Sequence, residues 1–157
     1  MIYKKHYDII IIGAGPSGVR AAIKCSKKGL KVLIVDSNAN NGGQIYRAPP
    51  KSFIKKSKKS LEENLIQLSF SQKIKENNID TAYSHTVWQV SPGFKIDAFN
   101  DDGTVQWKAK KLIIATGTYE KIIPFDGWTT PGIIGLAAST ILLKAHQTIP
   151  ANKIILA

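Results

Sequence analysis

The stretch that decides the fold is Tyr7-Asp8-Ile9-Ile10-Ile11-Ile12-Gly13-Ala14-Gly15-Pro16-Ser17-Gly18. Its four consecutive isoleucines predict a strand that is buried on both faces, as in a parallel sheet. The six residues after them form a G-x-G-x-x-G motif and open a segment with helical spacing. A glycine-rich turn between a buried strand and a helix is the context that a dinucleotide-binding motif requires.

Each residue type in this motif has a physical role. Gly13 allows the tight strand-to-helix turn, Gly15 lets the backbone approach a pyrophosphate, and Gly18 lets the helix pack closely on the strand. Pro16 suits the first turn of a helix, where a missing N–H removes no intrahelical bond. Ser17 and Gly18 then bring amides to the positive end of the helix dipole, which predicts an anion site.

A second buried strand follows the helix at residues 31–35, and Asp36 stands at its carboxyl end. A carboxylate there can accept hydrogen bonds from both hydroxyls of a ribose, and it would repel a 2′-phosphate. Strand, motif, helix, strand and acid in this order predict a site for an ADP moiety, against the alternative of an ordinary turn. These residues leave open whether the ADP belongs to NAD or to FAD.

The composition is that of a folded protein of one domain. The chain has 157 residues, 43% of them hydrophobic, and no apolar run of membrane-spanning length. The charged start lacks the apolar length and cleavage site of a secretory signal, so we expect a cytoplasmic protein with no membrane partner. Cys25 is the only cysteine, which excludes an internal disulfide, and we predict no metal site.

The net charge of +11 calls for a partner hypothesis. Much of it lies in a lysine run at residues 51–59, which predicts a solvated loop or, alternatively, a surface that docks an acidic partner subunit. Nucleic-acid binding would want aromatic residues among these charges, and only Phe53 is there. The pattern therefore argues against a nucleic-acid partner.

The rest of the chain adds one helix, a meander and a third buried strand. Helical spacing runs from Ser60 to Asn77, with a capping box formed by Ser60 and Glu63, and Ile79 to Ala82 predicts a short strand. Three alternating runs at 86–90, 94–99 and 104–108 are separated by turns and predict an antiparallel meander. Leu112 to Gly117 predicts a buried strand that ends in small residues at the ligand-binding edge of the sheet.

These elements predict an α/β fold: a Rossmann-like dinucleotide-binding domain with a parallel central sheet, helices on one side and an inserted antiparallel β-meander. A crossover rich in proline and glycine, a helix from Gly135 to His146 and an apolar stretch at 154–157 follow. We expect residues 1–150 to form one domain that lacks its C-terminal return. Residues 151–157 would be the start of a truncated second dinucleotide-binding domain.

Several motifs together resemble a known family. The motif at 13–18, Asp36, a Gly42-Gly43-Gln44 turn, the meander and the Ala115-Thr116-Gly117 strand end look like the FAD-binding domain of the flavoproteins that include thioredoxin reductase and glutathione reductase. Within that group, residues 42–47, 115–120 and 124–132 resemble the alpha-type subunits of heteromeric amine oxidoreductases. These include opine oxidase, hydrogen cyanide synthase, proline and hydroxyproline dehydrogenases, and sarcosine oxidase.

The resemblance implies FAD as the cofactor and a role for each matching residue. Gly13, Gly15, Pro16, Ser17 and Gly18 would cradle the pyrophosphate, and Asp36 would hold the adenosine ribose. Gly43 and Gln44 would lie along the pyrophosphate and ribityl chain, with Arg47 near the flavin, Val87 at the adenine through its backbone, and Ala115, Thr116 and Gly117 closing over the cofactor.

The resemblance also implies the function. We expect an oxidoreductase subunit that passes electrons from a small amine or imino acid through FAD and works with a beta-type partner subunit. No side chain of this chain is expected to be catalytic. A non-catalytic, truncated nucleotide-binding fragment or scaffold subunit is the main alternative. A simple NAD-dependent dehydrogenase is a third, although the meander argues against it because such enzymes usually continue with alternating strands and helices.

Overall fold

The structure is a computed structural model that describes residues 5–47, 58–149 and 151–155. In chain order its elements are β1 His6–Ile12, α1 Pro16–Ser26, β2 Val32–Val35, α2 Lys58–Glu76, β3 Asp80–Ala82, β4 Thr86–Ser91, β5 Lys95–Asn100, β6 Gly103–Ile114 and α3 Leu136–His146. All strands of the described ranges join one sheet in the order β3-β2-β1-β6-β5-β4. The predicted α/β fold with a parallel central sheet is confirmed.

The parallel half of the sheet consists of β3, β2, β1 and β6. Ile12, the last residue of β1, is level with Val35 of β2 on one side and with Ile114 of β6 on the other. The three central strands therefore end at the same level, and their carboxyl ends form one edge. Ligands of open parallel sheets bind at this edge.

Strand β6 is longer than the sequence predicts. The separate runs at 104–108 and 112–117 are one strand, Gly103–Ile114, because no glycine or proline interrupts the chain between Thr104 and Ile114. Its first half pairs antiparallel with β5 and its second half parallel with β1, and Lys108 takes part in both pairings. The meander is therefore a direct extension of the parallel sheet.

The two faces of the sheet are covered by different elements. On one face, Ile9, Ile11 and Ile34 pack against Val19 of α1 and Phe70 of α2. On the other face, the apolar cluster consists of strand residues from both halves of the sheet: Tyr7, Ile10, Leu33, Val35, Ala82, Ile96, Ala98, Trp107 and Ala109. The helices of this core lie on one side, as predicted, and the meander covers the other.

The structure also bears on the predictions for the lysine run and capping box, for the end of β6 and for residues 151–157. Residues 51–57 of the lysine run at 51–59 and the side chains of the predicted capping box, Ser60 and Glu63, lie outside the described residues, whereas Lys58 and Lys59 belong to α2 and not to a loop. The predicted buried strand from Leu112 to Gly117 is wrong in two respects: the strand ends at Ile114, and none of the six residues is fully buried, with Ile114 70% exposed. Residues 151–155 form no strand, and Ile154 and Ile155 are exposed.

Within the described ranges, no helix combines the length and apolar character needed to cross a membrane.

An ion pair at the amino edge of the sheet makes stability depend on pH. Asp8 accepts hydrogen bonds from Lys110 Nζ at 2.8 Å and from the Lys31 amide at 2.9 Å. The Lys110 bond and the Lys31 amide lower the pKa of Asp8 below its usual value. A lowered folded-state pKa adds stability above the unfolded-state pKa of about 3.9, and this is lost as the pH falls through the folded value.

We therefore expect Asp8→Asn to lower the melting temperature at pH 7 and the gap to the wild type to narrow below about pH 4. Thermal melts at several pH values measure this gap. Asp101→Asn, which changes an exposed carboxylate in a turn, is the control for a general loss of charge. A difference in melting temperature that stays constant from pH 7 to pH 3 would contradict the stabilising role of the ionised Asp8 carboxylate.

Candidate functional site

The predicted site residues come from separate parts of the chain and meet at the carboxyl edge of the sheet. The Gly13 amide donates to the Val35 carbonyl at 2.8 Å, and the Ala115 amide donates to the Ile12 carbonyl at 2.8 Å. The Gly42 amide donates to the Ala14 carbonyl at 2.9 Å. The glycine motif therefore lies between the end of β6 and the turn at 42–46.

The start of α1 has the features of an anion site. Gly15 is the N-cap with an extended backbone, no side chain caps the helix, Pro16 follows at its first position, and no acidic residue stands in the first turn. The amides of the first turn have no intrahelical acceptor, and the helix dipole makes this end positive. Ser17 and Gly18 are therefore placed to bind a negatively charged group.

The glycines of the motif have two different surroundings. A methyl group at Gly18 would overlap the Gly13 carbonyl oxygen, and one at Gly13 would overlap the Ala115 carbonyl oxygen. No atom lies within 4 Å of the position that a methyl group at Gly15 would occupy. Gly13 and Gly18 thus serve backbone packing, whereas Gly15 borders open space in front of the helix.

The turn at 42–46 forms the other wall of this space. Gly43 has a φ of +59°, and a methyl group there would lie 3.0 Å from the Gly15 Cα. The Tyr46 ring packs edge-on against Phe70 of α2, with ring centroids 5.8 Å apart. The aromatic contact fixes the turn on α2, a role for Tyr46 that the sequence did not indicate because Phe70 is distant in the chain. Gln44 is exposed beside it.

Asp36 already holds the loops of the site together. Its Oδ2 accepts from the Ala14 amide at 2.6 Å, and its Oδ1 accepts from the Asn38 amide at 2.7 Å and from Asn38 Nδ2 at 2.8 Å. An ionised carboxylate offers about four acceptor positions, so three bonds leave room for about one more. Accepting from both ribose hydroxyls, as predicted, would require the Asn38 side chain to move.

Asn38 and Arg47 add polar groups next to this carboxylate. Arg47 Nη2 donates to Asn38 Oδ1 at 3.3 Å, which places the guanidinium on the Asp36 side of the site. The residues from Asn38 to Asn41 also line a cavity of about 150 Å³ together with Gly43, Arg47 and Gln67. Asn38 is a candidate site residue that the sequence analysis missed, and the location of Arg47 near the flavin stays a prediction.

The remaining predicted residues flank the edge on both sides. The chain after β3 passes Asp36, because the His85 amide donates to the Asp36 carbonyl at 3.0 Å, and Val87 follows two residues later on β4. Burial raises the pKa of the neighbouring Tyr83, and the charge of Asp36 raises it further. Ala115, Thr116 and Gly117 continue from β6, with Thr116 and Gly117 exposed.

These residues fit an ADP-containing cofactor. Gly15 leaves open space for a pyrophosphate, the first turn of α1 supplies amides, and Asp36 retains an acceptor position for a ribose hydroxyl. The strand order β2-β1-β6 places Asp36 on one side of the glycine motif and Ala115 on the other. The ribose end of a bound dinucleotide would therefore lie toward β2 and the rest of the cofactor toward β6.

The fold and the site define a nucleotide-binding protein of the Rossmann type. Residues 7–156 match the family described as pyridine nucleotide-disulphide oxidoreductase. The chain belongs to this family, which confirms the resemblance stated from the motifs.

Individual relatives narrow the comparison. The chain is 33% identical over 158 residues to the A-type subunit of opine oxidase from Agrobacterium tumefaciens (strain Ach5), covering 96% of this chain and 31% of the relative. It is 26% identical to the HcnB subunit of hydrogen cyanide synthase from Pseudomonas protegens, covering 94% of this chain and 32% of the relative. The chain thus spans about a third of the length of these relatives.

A solved structure has the same fold. L-proline dehydrogenase from P. horikoshii superposes with a TM-score of 0.76 at 20% identity, covering 96% of this chain and 30% of that one. At this identity the likeness establishes the fold, and nothing about the ligand follows from it.

Proposed function

We propose that this chain is the FAD-binding part of an oxidoreductase that takes electrons from a small amine or imino acid. The observation that carries the proposal is the open space at Gly15, with the first-turn amides of α1 behind it and Gly43 at its rim. The opine oxidase and hydrogen cyanide synthase subunits, which the chain resembles over most of its length, support the amine class of substrate. The proposal places the protein in the cytoplasm.

The chain's own residues bind and orient the cofactor. FAD supplies an isoalloxazine ring that can accept a hydride, which leaves the protein to position it and to set its electrostatics. Ser17 and Gly18 would hold the pyrophosphate, and Asp36 with Asn38 would hold the ribose. We assign no side chain of this chain to acid or base catalysis.

A partner polypeptide is part of the proposal. An exposed set of large apolar residues, here called the apolar band, consists of Ile114, Tyr119, Ile122, Ile123, Phe125, Ile133, Ile134, Leu136 and Leu143. The Tyr119 side chain is 96% exposed and that of Ile123 is 73% exposed. These residues all fall between positions 114 and 143, and a contiguous exposed apolar patch is typical of a protein interface. It supports a beta-type oxidoreductase subunit, or further polypeptide of the relatives' length, as the group that covers the band.

The alternative is a non-catalytic nucleotide-binding fragment or scaffold subunit. The apolar band does not distinguish this alternative from the oxidoreductase subunit, because an incomplete domain and a docking subunit would both expose such residues. The two hypotheses differ in turnover and not in nucleotide binding.

The first experiment is the visible absorbance spectrum of the purified chain, with chromatographic identification of any released chromophore. Yellow protein with about one FAD per chain would support the proposal, and amine-dependent reduction of a dye would then separate the enzyme from the scaffold. Protein that is colourless and takes up neither FAD nor ADP would overturn the cofactor assignment. Protein that binds FAD but oxidises no amine with any partner would favour the scaffold hypothesis over the enzyme.

The ribose contact of Asp36 gives a separate test. Asp36→Ala is expected to weaken ADP binding by about 1.5–3 kcal/mol, the typical contribution of a hydrogen bond to a charged group. Isothermal titration with ADP and with 2′-deoxy-ADP and 3′-deoxy-ADP shows which hydroxyl is bound. We expect the wild type to discriminate against at least one deoxy analogue and the variant to bind all three alike.

The analogues separate a ribose contact from a structural role. Because Asp36 also holds the Ala14 amide, the variant could lose affinity by loosening the glycine turn. In that case it would keep the wild-type discrimination between ADP and the deoxy analogues, and the ribose assignment would be wrong. Asn38→Ala tests whether Asn38 supplies the second hydroxyl contact.

A further inference from the structure

Helix α3 has an unusual attachment to the rest of the molecule. None of its eleven residues is fully buried, and only part of its apolar surface, including Ile141 and Leu142, is covered, so apolar packing holds it weakly. Its two ends instead make polar contacts with two different loops of the candidate site. Because apolar packing normally supplies most of the stability of a helix in a protein, these contacts call for an explanation.

The first contact is at the N-terminus of α3. Both carboxylate oxygens of Glu120 accept backbone amides, from Leu136 at 2.7 Å and from Ala137 at 3.0 Å. The N-cap residue, Gly135, has no side chain to do this, and a methyl group there would come within 2.9 Å of the Glu120 carboxyl carbon. A carboxylate at this end of a helix also interacts favourably with the helix dipole.

The second contact is in the last turn of α3. Lys144 Nζ donates to the Ile45 carbonyl at 2.7 Å. Ile45 lies in the turn at 42–46, whose Gly43 approaches Gly15 of the glycine motif. Glu120 lies three residues after Gly117, in the loop that leaves β6. The helix therefore bridges the loop that leaves β6 and the turn at 42–46, which lies at the rim of the space in front of Gly15.

We propose that Glu120 and Lys144 are positioning residues that hold α3 between the β6 exit loop and the turn at 42–46. This sets the width of the cleft where the flavin half of the cofactor would lie. The proposal rests on the proposed function, since it concerns the same cleft. The order β2-β1-β6 puts the ribose toward β2, whereas Glu120 follows β6, so we expect the bridge formed by α3 to affect the flavin half of the cofactor more than the ADP half.

The test compares FAD with ADP as probes in equilibrium titrations. We expect Glu120→Ala and Lys144→Met each to weaken FAD binding by about tenfold or more, the effect of losing a charge-assisted hydrogen bond. ADP, which lacks the flavin half, should lose clearly less affinity than FAD in both variants. Glu120→Gln keeps one acceptor oxygen and should recover part of the FAD affinity. Glu62→Ala and Lys73→Met, at exposed positions of α2, are the matched controls.

A purely structural role would give a different pattern. If FAD and ADP affinities fall by the same factor, or if only the melting temperature changes, the bridge does not act on the flavin half and the proposal is overturned. Hydrogen–deuterium exchange gives a readout that needs no cofactor. In both variants the amides of 136–146 and of 42–46 should exchange faster, and unchanged exchange at 42–46 overturns the proposal.

The exchange measurement also separates the proposed binding of FAD from the proposed bridge between the two loops. Wild-type protein that binds neither FAD nor ADP would remove the proposed function. Faster exchange of both 136–146 and 42–46 in the variants would still support the bridge formed by α3. Without that joint change, the proposed bridge would be wrong as well. Glu120→Gln, the mildest change, serves for this measurement if Glu120→Ala does not fold.

Discussion

Gly15→Ala is expected to abolish nucleotide binding while leaving the melting temperature close to that of the wild type. Gly15 has a φ of −68° and a ψ of 178°, which alanine adopts without strain, and a methyl group there meets no atom of the protein within 4 Å. The methyl group would occupy the space where a pyrophosphate meets the first-turn amides. Losing two charge-assisted hydrogen bonds lowers affinity by about 100-fold or more.

Isothermal titration with ADP and FAD, together with a thermal melt, measures both parts of this expectation. Gly93→Ala, at a positive φ in a turn of the meander, is the matched control: it should lower the melting temperature and retain binding. Wild-type affinity in Gly15→Ala would show that the pyrophosphate does not lie against this residue.

Gly18→Ala is expected to lower the stability of the fold strongly. Gly18 is buried in the first turn of α1, and an alanine methyl group would overlap the Gly13 carbonyl oxygen and approach the Ala115 side chain at 3.4 Å. The obstacle is backbone in the middle of the sheet edge, which cannot move without separating α1 from β1. We expect a loss of at least about 3 kcal/mol, the upper end of the cost of overpacking, from a total that is about 5–15 kcal/mol for a native domain.

Chemical denaturation followed by circular dichroism measures this loss. Gly15→Ala is the control, since the two substitutions are three residues apart in one motif and differ only in what the methyl group meets. If Gly18→Ala unfolds at the wild-type denaturant concentration, the close contact between α1 and β1 is wrong.

The sequence predicted the first βαβ unit because every step there is local. The structural roles of its four isoleucines, three glycines and terminal acid follow from neighbouring residues in the sequence. The structure has β1, α1 and β2 at the predicted positions. The meander was predictable for the same reason, since its turns separate short alternating runs.

What the sequence could not predict depends on residues that are distant in the chain. Asn38 engages Asp36 only because the loop after β2 folds back, and Glu120 caps α3 across sixteen residues. No pattern of residue types distinguishes such a glutamate from a solvated one. The exposure of Ile114 likewise depends on which parts of the chain pack beside β6, and the residues of β6 alone do not determine this.

The position of β6 in the sheet also has a consequence for synthesis. β1 lies between β2 and β6, and the partner of Ile12 in β6 is Ile114. At about 5–20 residues per second, on the order of 5 to 20 seconds separate the emergence of these two strands from a ribosome. During that interval β2 can protect one edge of β1, while the other edge of this isoleucine-rich strand is open to pairing with any extended chain. The nascent protein therefore carries an aggregation-prone edge until β6 emerges, and chaperones that shield β1 and β2 would have the largest effect on its yield.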